Sequence, residues 1–370
     1  MKLIAQIKLV PTDEQHLSLL RTLKTANAAC NFVSEQAWQE RVFGQFALHK
    51  LYYGIVRKQF GLGADVTQRV FAKVSDAYKL NRKVTRAFKP YGAFPFNDRL
   101  VSYKLSTSIV SIWTMDGRQK MPFVCGDQQR QLLQGLHGEC DLVYRQGKFF
   151  LFQTCDVDES PEIDPDGFLG VDLGIVNIAT DSDGVVYQGK SVQNVRFRHR
   201  KLRSKLQRKG TKSSKRRLKQ LSGKERRFVT DVNHMISKQL VRSAQDTGRG
   251  IALENLTHIR KRVTARRGQR ARLHSWSFAQ LRSFVTYKSK RVGIPVVAVD
   301  PRNTSRTCPS CGHIDKHNRK TQSNFLCVTC GFAGLADHIA AINIGRRAVI
   351  NLPNVSTTVR LVAVASGTSC

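Results

Sequence analysis

The spacing of hydrophobic residues changes twice in the first half of the chain. Alternating apolar positions at residues 2–10 predict a strand, and Thr12 followed by Gln15 is typical of a helix that starts with a capping box. Helical spacing continues to about residue 90 and predicts three or more packed helices. Residues 100–156 return to a period of two, which predicts several strands. This order indicates a β-barrel that the N-terminal strand closes and a helical insertion interrupts.

The second half of the chain mixes short apolar strands with helices. An acidic segment, Val157–Asp166, is predicted to be a linker between the halves. Together the two halves predict a multidomain α+β fold. Apolar runs predict strands at residues 168–174, 185–187, 251–256 and 295–300, an amphipathic helix from Phe228, and further helices around Trp276–Phe284 and from Asp337.

The net charge of the chain indicates which class of molecule it binds. Its 370 residues include 61 Lys plus Arg against 27 Asp plus Glu, a formal net charge of +34. An excess of this size calls for a polyanion, and nucleic acid is the default candidate. A basic surface kept for solubility is the alternative, which the clustering of the charge disfavours. No apolar run approaches the length of a membrane span, so we expect a soluble protein.

The basic residues concentrate in two runs. Between Arg196 and Arg227 there are sixteen Lys or Arg residues and a single acid, Glu225, and a second run covers Arg260–Arg272. Exposed basic helices without a specific partner are the alternative to a nucleic-acid surface. The nucleic-acid contacts predicted from these runs are Arg198, Arg200, Lys201, Arg203, Lys205, Arg216, Arg217, Arg260, Lys261 and Arg262.

The nine cysteines fall into two classes. Five are scattered singly, which is typical of small core residues in a reducing cytosol and not of a secreted disulfide framework. The other four form two CxxC pairs around a fifteen-residue loop, a spacing that suits a closed, structural Zn²⁺ site. His313 and His317 lie in the loop as substitute ligands, although solvated side chains are the simpler interpretation. The predicted zinc ligands are Cys308, Cys311, Cys327 and Cys330.

Three acids stand at the ends of predicted elements. Asp172 lies in an apolar strand, Glu254 ends another strand, and Asp337 precedes an apolar helix. A carboxylate in apolar surroundings is costly without compensation, and a divalent cation such as Mg²⁺ is a common one. Such ions activate water in phosphodiester hydrolysis. Each acid also has an ordinary interpretation, as a turn residue, an ion-pair partner or a helix cap, so the acids alone do not establish a nuclease.

Four motifs, in order and spacing, resemble the TnpB (OrfB) proteins of bacterial insertion sequences, which are relatives of the type V CRISPR effectors. They are the sequence Gly170-Val171-Asp172-Leu173-Gly174-Ile175, the sequence Leu253-Glu254-Asn255-Leu256, the stretch from Thr304 to Gly312 around the first cysteine pair, and Asp337 followed by Ala340-Ala341-Ile342-Asn343-Ile344. The N-terminal half is also similar, notably at residues 25–31 and 43–50, so the likeness extends to about residue 350.

The resemblance implies a wedge β-barrel with a helical recognition insertion, followed by an RNase H-like (RuvC) α/β nuclease domain with an inserted zinc ribbon. The last acid of the family is usually followed two residues later by Asn, whereas this chain has Ile339. The implied boundaries are 1–11 and 95–158 for the barrel, 12–94 for the helical region, 165–302 and 333–352 for the nuclease domain, 303–332 for the ribbon and 353–370 for a tail.

The same resemblance implies an RNA-guided DNA endonuclease of a transposable element, in the cytoplasm or nucleoid of a prokaryote. It implies that Asp172, Glu254 and Asp337 bind one or two Mg²⁺ ions and carry the catalysis. The expected partners are a guide RNA derived from the end of the element and a target DNA beside a short adjacent motif. The alternatives are an RNA-guided DNA-binding repressor, a guide-independent RuvC-like nuclease or transposase, and a zinc-ribbon binding module without catalysis.

Overall fold

The computed structural model describes residues 1–135, 137–256 and 277–351. The chain divides into two compact units, Met1–Asp158 and Glu159–Cys370. Within the described residues no helix is both long and apolar enough to cross a bilayer.

The first unit contains a seven-stranded antiparallel sheet in the order β2-β6-β7-β1-β5-β4-β3. The N-terminal strand lies in the middle, between two strands that come more than a hundred residues later. This confirms the strand predicted at the N-terminus. The strands are β1 (Lys2–Leu9), β2 (Phe94–Phe96), β3 (Val101–Lys104), β4 (Ile109–Thr114), β5 (Gly117–Val124), β6 (His137–Arg145) and β7 (Lys148–Asp156). Among the described strands the pairing ends at β2 and β3, and closure into a barrel stays a prediction.

Helices form the insertion between β1 and β2. The expected capping box is present, because the Thr12 hydroxyl accepts from the Gln15 amide at 3.3 Å and the Gln15 side chain accepts from the Thr12 amide at 3.1 Å. Three of the four lone cysteines described are buried, which confirms their core role, and burial raises the thiol pKa of Cys30 and Cys140 to about 12. The helices of this unit are α1 (Asp13–Glu40), α2 (Gln45–Phe60), α3 (Ala64–Leu80) and the short α4 (Asp127–Leu132).

The second unit is built on a five-stranded mixed sheet in the order β10-β9-β8-β11-β12. The first three strands are an antiparallel meander, and β11 and β12 run parallel to β8. The strands are β8 (Phe168–Asp172), β9 (Asn177–Asp181), β10 (Val186–Gln188), β11 (Gly250–Glu254) and β12 (Val296–Val299). Asp172 is thus the last residue of its strand, whereas the sequence suggested an acid within the strand.

The predicted first basic run is helical except for two short breaks, at residues 210–211 and 222–223. It forms α5, α6 and the first turn of α7, and α7 begins at Lys224, ahead of the apolar pattern that starts at Phe228. Among the described residues, the α-helices of this unit are α5 (Lys190–Lys209), α6 (Lys212–Leu221), α7 (Lys224–Asp246), α8 (Phe278–Arg291) and α9 (Ala336–Asn351).

The central strands of this sheet bury both faces. Side chains alternate along a strand, so odd-numbered and even-numbered residues of β8 face opposite sides. Leu169 and Val171 share a core with apolar residues of α7 and α8, whereas Phe168 shares a separate core with Ile344 and Ala348 of α9. Helix α9 therefore covers the face of the sheet that carries the even-numbered residues of β8.

Two glycines let α9 approach the sheet closely. A Cβ atom on Gly170 would lie 1.9 Å from the Ala341 carbonyl oxygen, and one on Gly345 would lie 2.7 Å from the Phe168 oxygen. Both distances are far inside van der Waals contact. Only glycine at these two positions allows the backbones of β8 and α9 to touch.

Candidate metal centres

The first two acids lie at the same edge of the sheet. Val171 of β8 pairs with Leu253 of β11, so Asp172 and Glu254 each follow this pair by one residue. The strands are parallel, and residues two apart share a face, so Asp172 lies on the face of Gly170. That is the face that α9 covers. Strand register alone thus brings together two acids that are 82 residues apart in the sequence.

Helix α9 brings in the third acid. Asp337 is in the first turn of this helix, one turn before Ala341, the residue that touches Gly170. The side-chain amide of Asn177 donates to Asp337 Oδ2 at 3.0 Å. His338 Nε2 lies 3.1 Å from the Ser182 carbonyl oxygen in the β9–β10 turn. These contacts fix the start of α9 against β9 and the turn that follows it.

The three carboxylates influence one another electrostatically. Burial, and then the negative charges of Glu254 and Asp337, raise the pKa of Asp172 to about 8, against a smaller lowering effect of Arg319. Burial also raises the pKa of Glu254, opposed by a hydrogen bond from Thr304. A cation bound beside partly buried carboxylates would reduce their mutual repulsion.

Three residues that contact the acids were not predicted as site residues from the sequence. The Thr304 hydroxyl donates to Glu254 Oε1 at 2.7 Å, and an Arg319 guanidinium nitrogen lies 3.6 Å from Asp337 Oδ1. Asn177, described above, is the third. Thr304 stands at the start of the quoted motif around the first cysteine pair, so its position carried a signal. Arg319 lies in the loop between the cysteine pairs, where the sequence offers no such signal.

The four predicted zinc ligands converge. Their sulfur atoms all lie within 4.8 Å of one another, and both the Cys308–Cys330 and the Cys311–Cys327 sulfur distances are 3.6 Å. A tetrahedral Zn²⁺ with Zn–S bonds of about 2.3 Å separates its sulfurs by about 3.8 Å. The cluster therefore fits a structural zinc ion. Among the described residues it is the only group of three or more His, Cys, Asp or Glu side chains that could hold a metal ion as they stand, and the three acids do not form such a group.

The two CxxC turns have the same backbone geometry. The Gly312 amide donates to the Cys308 carbonyl at 3.0 Å, and the Gly331 amide donates to the Cys327 carbonyl at 3.1 Å. The Cys330 amide contacts Cys327 Sγ at 3.5 Å. This contact is the largest cause of a Cys327 pKa lowered to about 6, which favours the thiolate that a metal binds.

The ribbon around the cysteines shares its small core with α9. Strands β13 (Asn324–Leu326) and β14 (Ala333–Leu335) pair directly before the helix. Ile339, at the position where the resembling family usually has Asn, is 2% exposed and packs with the ribbon residues Phe325 and Cys327. The departure from the family pattern thus provides an apolar contact between ribbon and helix. His313 and His317 are outside the metal-ligand group, and His317 Nδ1 lies 2.7 Å from Asp315 instead.

Only the predicted nucleic-acid contacts of the first basic run lie among the described residues. Those of the first run lie on α5 and α6 and are exposed to solvent, as a nucleic-acid surface requires. The exposed members are Arg198, Arg200, Lys201, Arg203, Lys205, Arg216 and Arg217. Arg260, Lys261 and Arg262 lie outside the described residues.

Comparison with known proteins bears on both centres. Residues 152–260 match the OrfB family model of IS605, described as a probable transposase, and residues 278–344 match the Cas12f1-like TNB domain. The first match contains Asp172 and Glu254, and the second contains Asp337 and all four clustered cysteines. The two matched segments are similar to domains of the OrfB and Cas12f1-like proteins. The resemblance inferred from the sequence motifs is thereby confirmed.

Relatives of this chain include CRISPR-associated endodeoxyribonucleases named Cas12f1. It is 29% identical over 263 residues to the CRISPR-associated endodeoxyribonuclease Cas12f1 of Sulfoacidibacillus thermotolerans, covering 66% of this chain and 60% of the relative. A TnpB-like protein of Methanocaldococcus jannaschii is 34% identical, covering 44% and 58%. InsQ of Escherichia coli K12, whose name proposes an RNA-guided DNA endonuclease, is 27% identical, covering 54% and 53%. This chain thus spans between about half and three fifths of the length of each of these three relatives.

Proposed function

We propose that this chain is an RNA-guided DNA endonuclease of a transposable element. It would hydrolyse DNA that is complementary to a guide RNA and lies beside a short adjacent motif. The observation that carries the proposal is that Asp172 and Glu254 end neighbouring parallel strands and that Asp337 lies in the first turn of α9, the helix that touches Gly170. The names of the Cas12f1 and InsQ relatives support the same activity.

The carboxylates would hold one or two Mg²⁺ ions. A divalent cation bound there supplies an activated water and stabilises negative charge on the leaving 3′-oxygen. The chain's own groups orient the ligands, since Thr304 fixes Glu254 and Asn177 fixes Asp337 by hydrogen bonds. Arg319 would release Asp337 when the cation binds and remain beside the scissile phosphate as a positive charge.

The domain arrangement proposed here follows the expectations from sequence. The meander β8–β10 followed by two parallel strands supports an RNase H-like (RuvC) nuclease domain at 165–302 and 333–352. The cysteine cluster supports a zinc ribbon at 303–332, with one structural Zn²⁺. The first sheet and its helical insertion would form the wedge barrel and the recognition region, and the cytoplasm or nucleoid of a prokaryote would be the compartment.

One preparation tests the guide and the chemistry together. We expect the purified protein to carry a co-purifying RNA, derived from the end of the element, whose 3′ end names the target. The loaded protein should cut a matched duplex in Mg²⁺ and leave a scrambled duplex intact. Cutting without RNA would instead indicate a guide-independent nuclease or transposase.

The variant Asp172→Ala separates cleavage from binding. It removes one metal ligand and should lower the rate of cutting at least about a thousandfold, while target binding in a mobility-shift assay stays within about twofold. Asp158→Ala, an exposed acid of the linker, is the matched control and should cut normally. Target binding by the wild-type chain without any Asp172-dependent cutting would favour the repressor.

A further inference from the structure

A cavity that none of the three acids lines opens between α5 and α7. Its volume is about 420 Å³, and its charged lining residues are Arg196 and Arg203 of α5 and Glu225 and Arg226 of α7. We refer to these four residues and the space between them as the arginine pocket. Three guanidinium groups face one carboxylate, so the pocket keeps a net positive charge at every physiological pH.

Glu225 contacts two of these arginines but does not pair all of their hydrogen-bond donors. Its Oε2 accepts from an Arg203 guanidinium nitrogen at 3.1 Å, and its Oε1 lies 3.7 Å from Arg196 Nε. The Arg196 side chain is 17% exposed, and its Nε is a buried donor without a hydrogen-bond acceptor among the described residues. A guanidinium presents five N–H donors, and leaving a buried one unpaired is costly. The arrangement therefore lacks an anion.

The chemistry of the pocket selects a phosphate group. Arginine forks match the paired oxygens of phosphate, and phosphate offers more acceptor positions than the one carboxylate already present. The volume has room for a phosphate with an attached sugar. The exposed cations Arg200 and Lys201 continue along α5, and a row of that kind follows a polymer of phosphates better than a single small anion.

We infer that the arginine pocket binds one backbone phosphate of a bound nucleic acid, with Arg196, Arg203 and Arg226 as its donors. The nucleic-acid source of that phosphate rests on the proposed function, whereas the affinity of the pocket for phosphate does not. The contact is independent of base sequence, because a phosphate carries no sequence information.

Salt-dependent binding tests the inference. The variant Arg203→Gln/Arg226→Gln keeps the helices intact, since both side chains are exposed, and removes two of the three donors. The control Lys238→Gln/Arg242→Gln removes the same charge from an exposed part of α7 outside the pocket. Dissociation constants for guide RNA, and for target DNA with the RNA-loaded protein, are measured between about 50 and 200 mM salt.

We expect the pocket variant to bind about tenfold more weakly and to lower the slope of log K against log salt by about one, for every sequence tested. The control should change affinity by about twofold or less. If the salt slope for RNA binding changes, the phosphate in the pocket belongs to the RNA. If the slope changes only for target binding, the phosphate belongs to the DNA. Either result supports the pocket. Equal slopes for the pocket and control variants overturn it.

A second measurement keeps the pocket testable if the proposed function fails. Inorganic phosphate added to the protein without nucleic acid should raise the melting temperature of the wild type and the control, and raise that of the pocket variant less. If the wild type binds no RNA, the proposed function is wrong, and this comparison alone decides the pocket. An equal rise in all three proteins would then overturn it.

Discussion

The cysteine cluster and the acid cluster show two ways of building a metal centre in one unit. The four cysteines lie within 23 consecutive residues, and their sulfurs already stand at the spacing of a tetrahedral ion. The three acids span 166 residues and are brought together by strand register and by a helix that touches a strand. A local motif thus sets its ligand geometry itself, whereas a centre assembled by topology depends on backbone packing far from its ligands.

The largest effect is expected when two of the four cysteines of the zinc site are replaced. We expect Cys308→Ser/Cys311→Ser to lose the zinc ion, whose binding to such a site is worth on the order of 10 kcal/mol. Amides of β13 and β14 should then lose hydrogen-exchange protection, while those of β8 and β11 keep it. Cys125→Ser, a lone cysteine, serves as the control and should retain zinc. A zinc content of one per chain in the double variant would contradict the assignment of the ligands.

The cluster of three acids should instead be disrupted by a substitution that changes none of the acids. Gly170→Ala places a methyl group on the Ala341 carbonyl, so α9 must move, at a cost of about 3 kcal/mol. Cutting should fall with it, although no ligand is changed. Hydrogen exchange of the β8 and β11 amides measures the stability. Gly54→Ala, where a Cβ meets nothing within 4 Å, should be neutral or stabilising. Unchanged stability of Gly170→Ala would show that the helix does not depend on this contact.

The charge of the assembled centre gives a pH signature. Because the folded pKa of Asp172 is raised to about 8, from an ordinary 3.8, the folded state holds a proton that the unfolded state has lost. Stability from this group is therefore lost as pH rises towards 8. In EDTA we expect the free energy of unfolding of the wild type to fall relative to Asp172→Asn by about 2 kcal/mol between about pH 6 and pH 8. A difference that does not change with pH would contradict the raised pKa.

The smallest expected effect concerns the residue that joins the two centres. Ile339→Asn restores the side chain common in the family but leaves an amide among Phe325, Cys327 and Ala336. We expect a loss of about 1.5 kcal/mol and no gain in cutting. Ile314→Asn, half exposed in the same ribbon, should cost less than about 0.5 kcal/mol. Stability unchanged by Ile339→Asn would mean that the ribbon core tolerates the polar side chain.

The same contrast explains what the sequence predicted well. Local signals were sufficient for the capping box at Thr12 and for the CxxC pairs. Each depends on residues that are close in the chain. The central place of β1 followed less directly, because its partners come more than a hundred residues later.

Contacts between residues far apart in the chain could not be predicted from the sequence. Buried acids in apolar runs pointed to Asp172 and Glu254, but the neighbours Asn177 and Arg319 are ordinary polar residues until the fold brings each to Asp337. The anion pocket was hidden for a related reason. In the sequence Glu225 is one acid among sixteen cations, and only the packing of α5 against α7 shows that it holds two of them.

The core shared by the ribbon and α9 limits how this protein can be rebuilt. Ala336 and Ile339 belong to the helix, yet they pack with Cys308, Phe325 and Cys327. A ribbon exchanged as a cassette ending at residue 335 would leave these two side chains without their packing partners and disturb the turn that carries Asp337. A chimera that transfers the ribbon together with the opening turn of α9 keeps that junction whole.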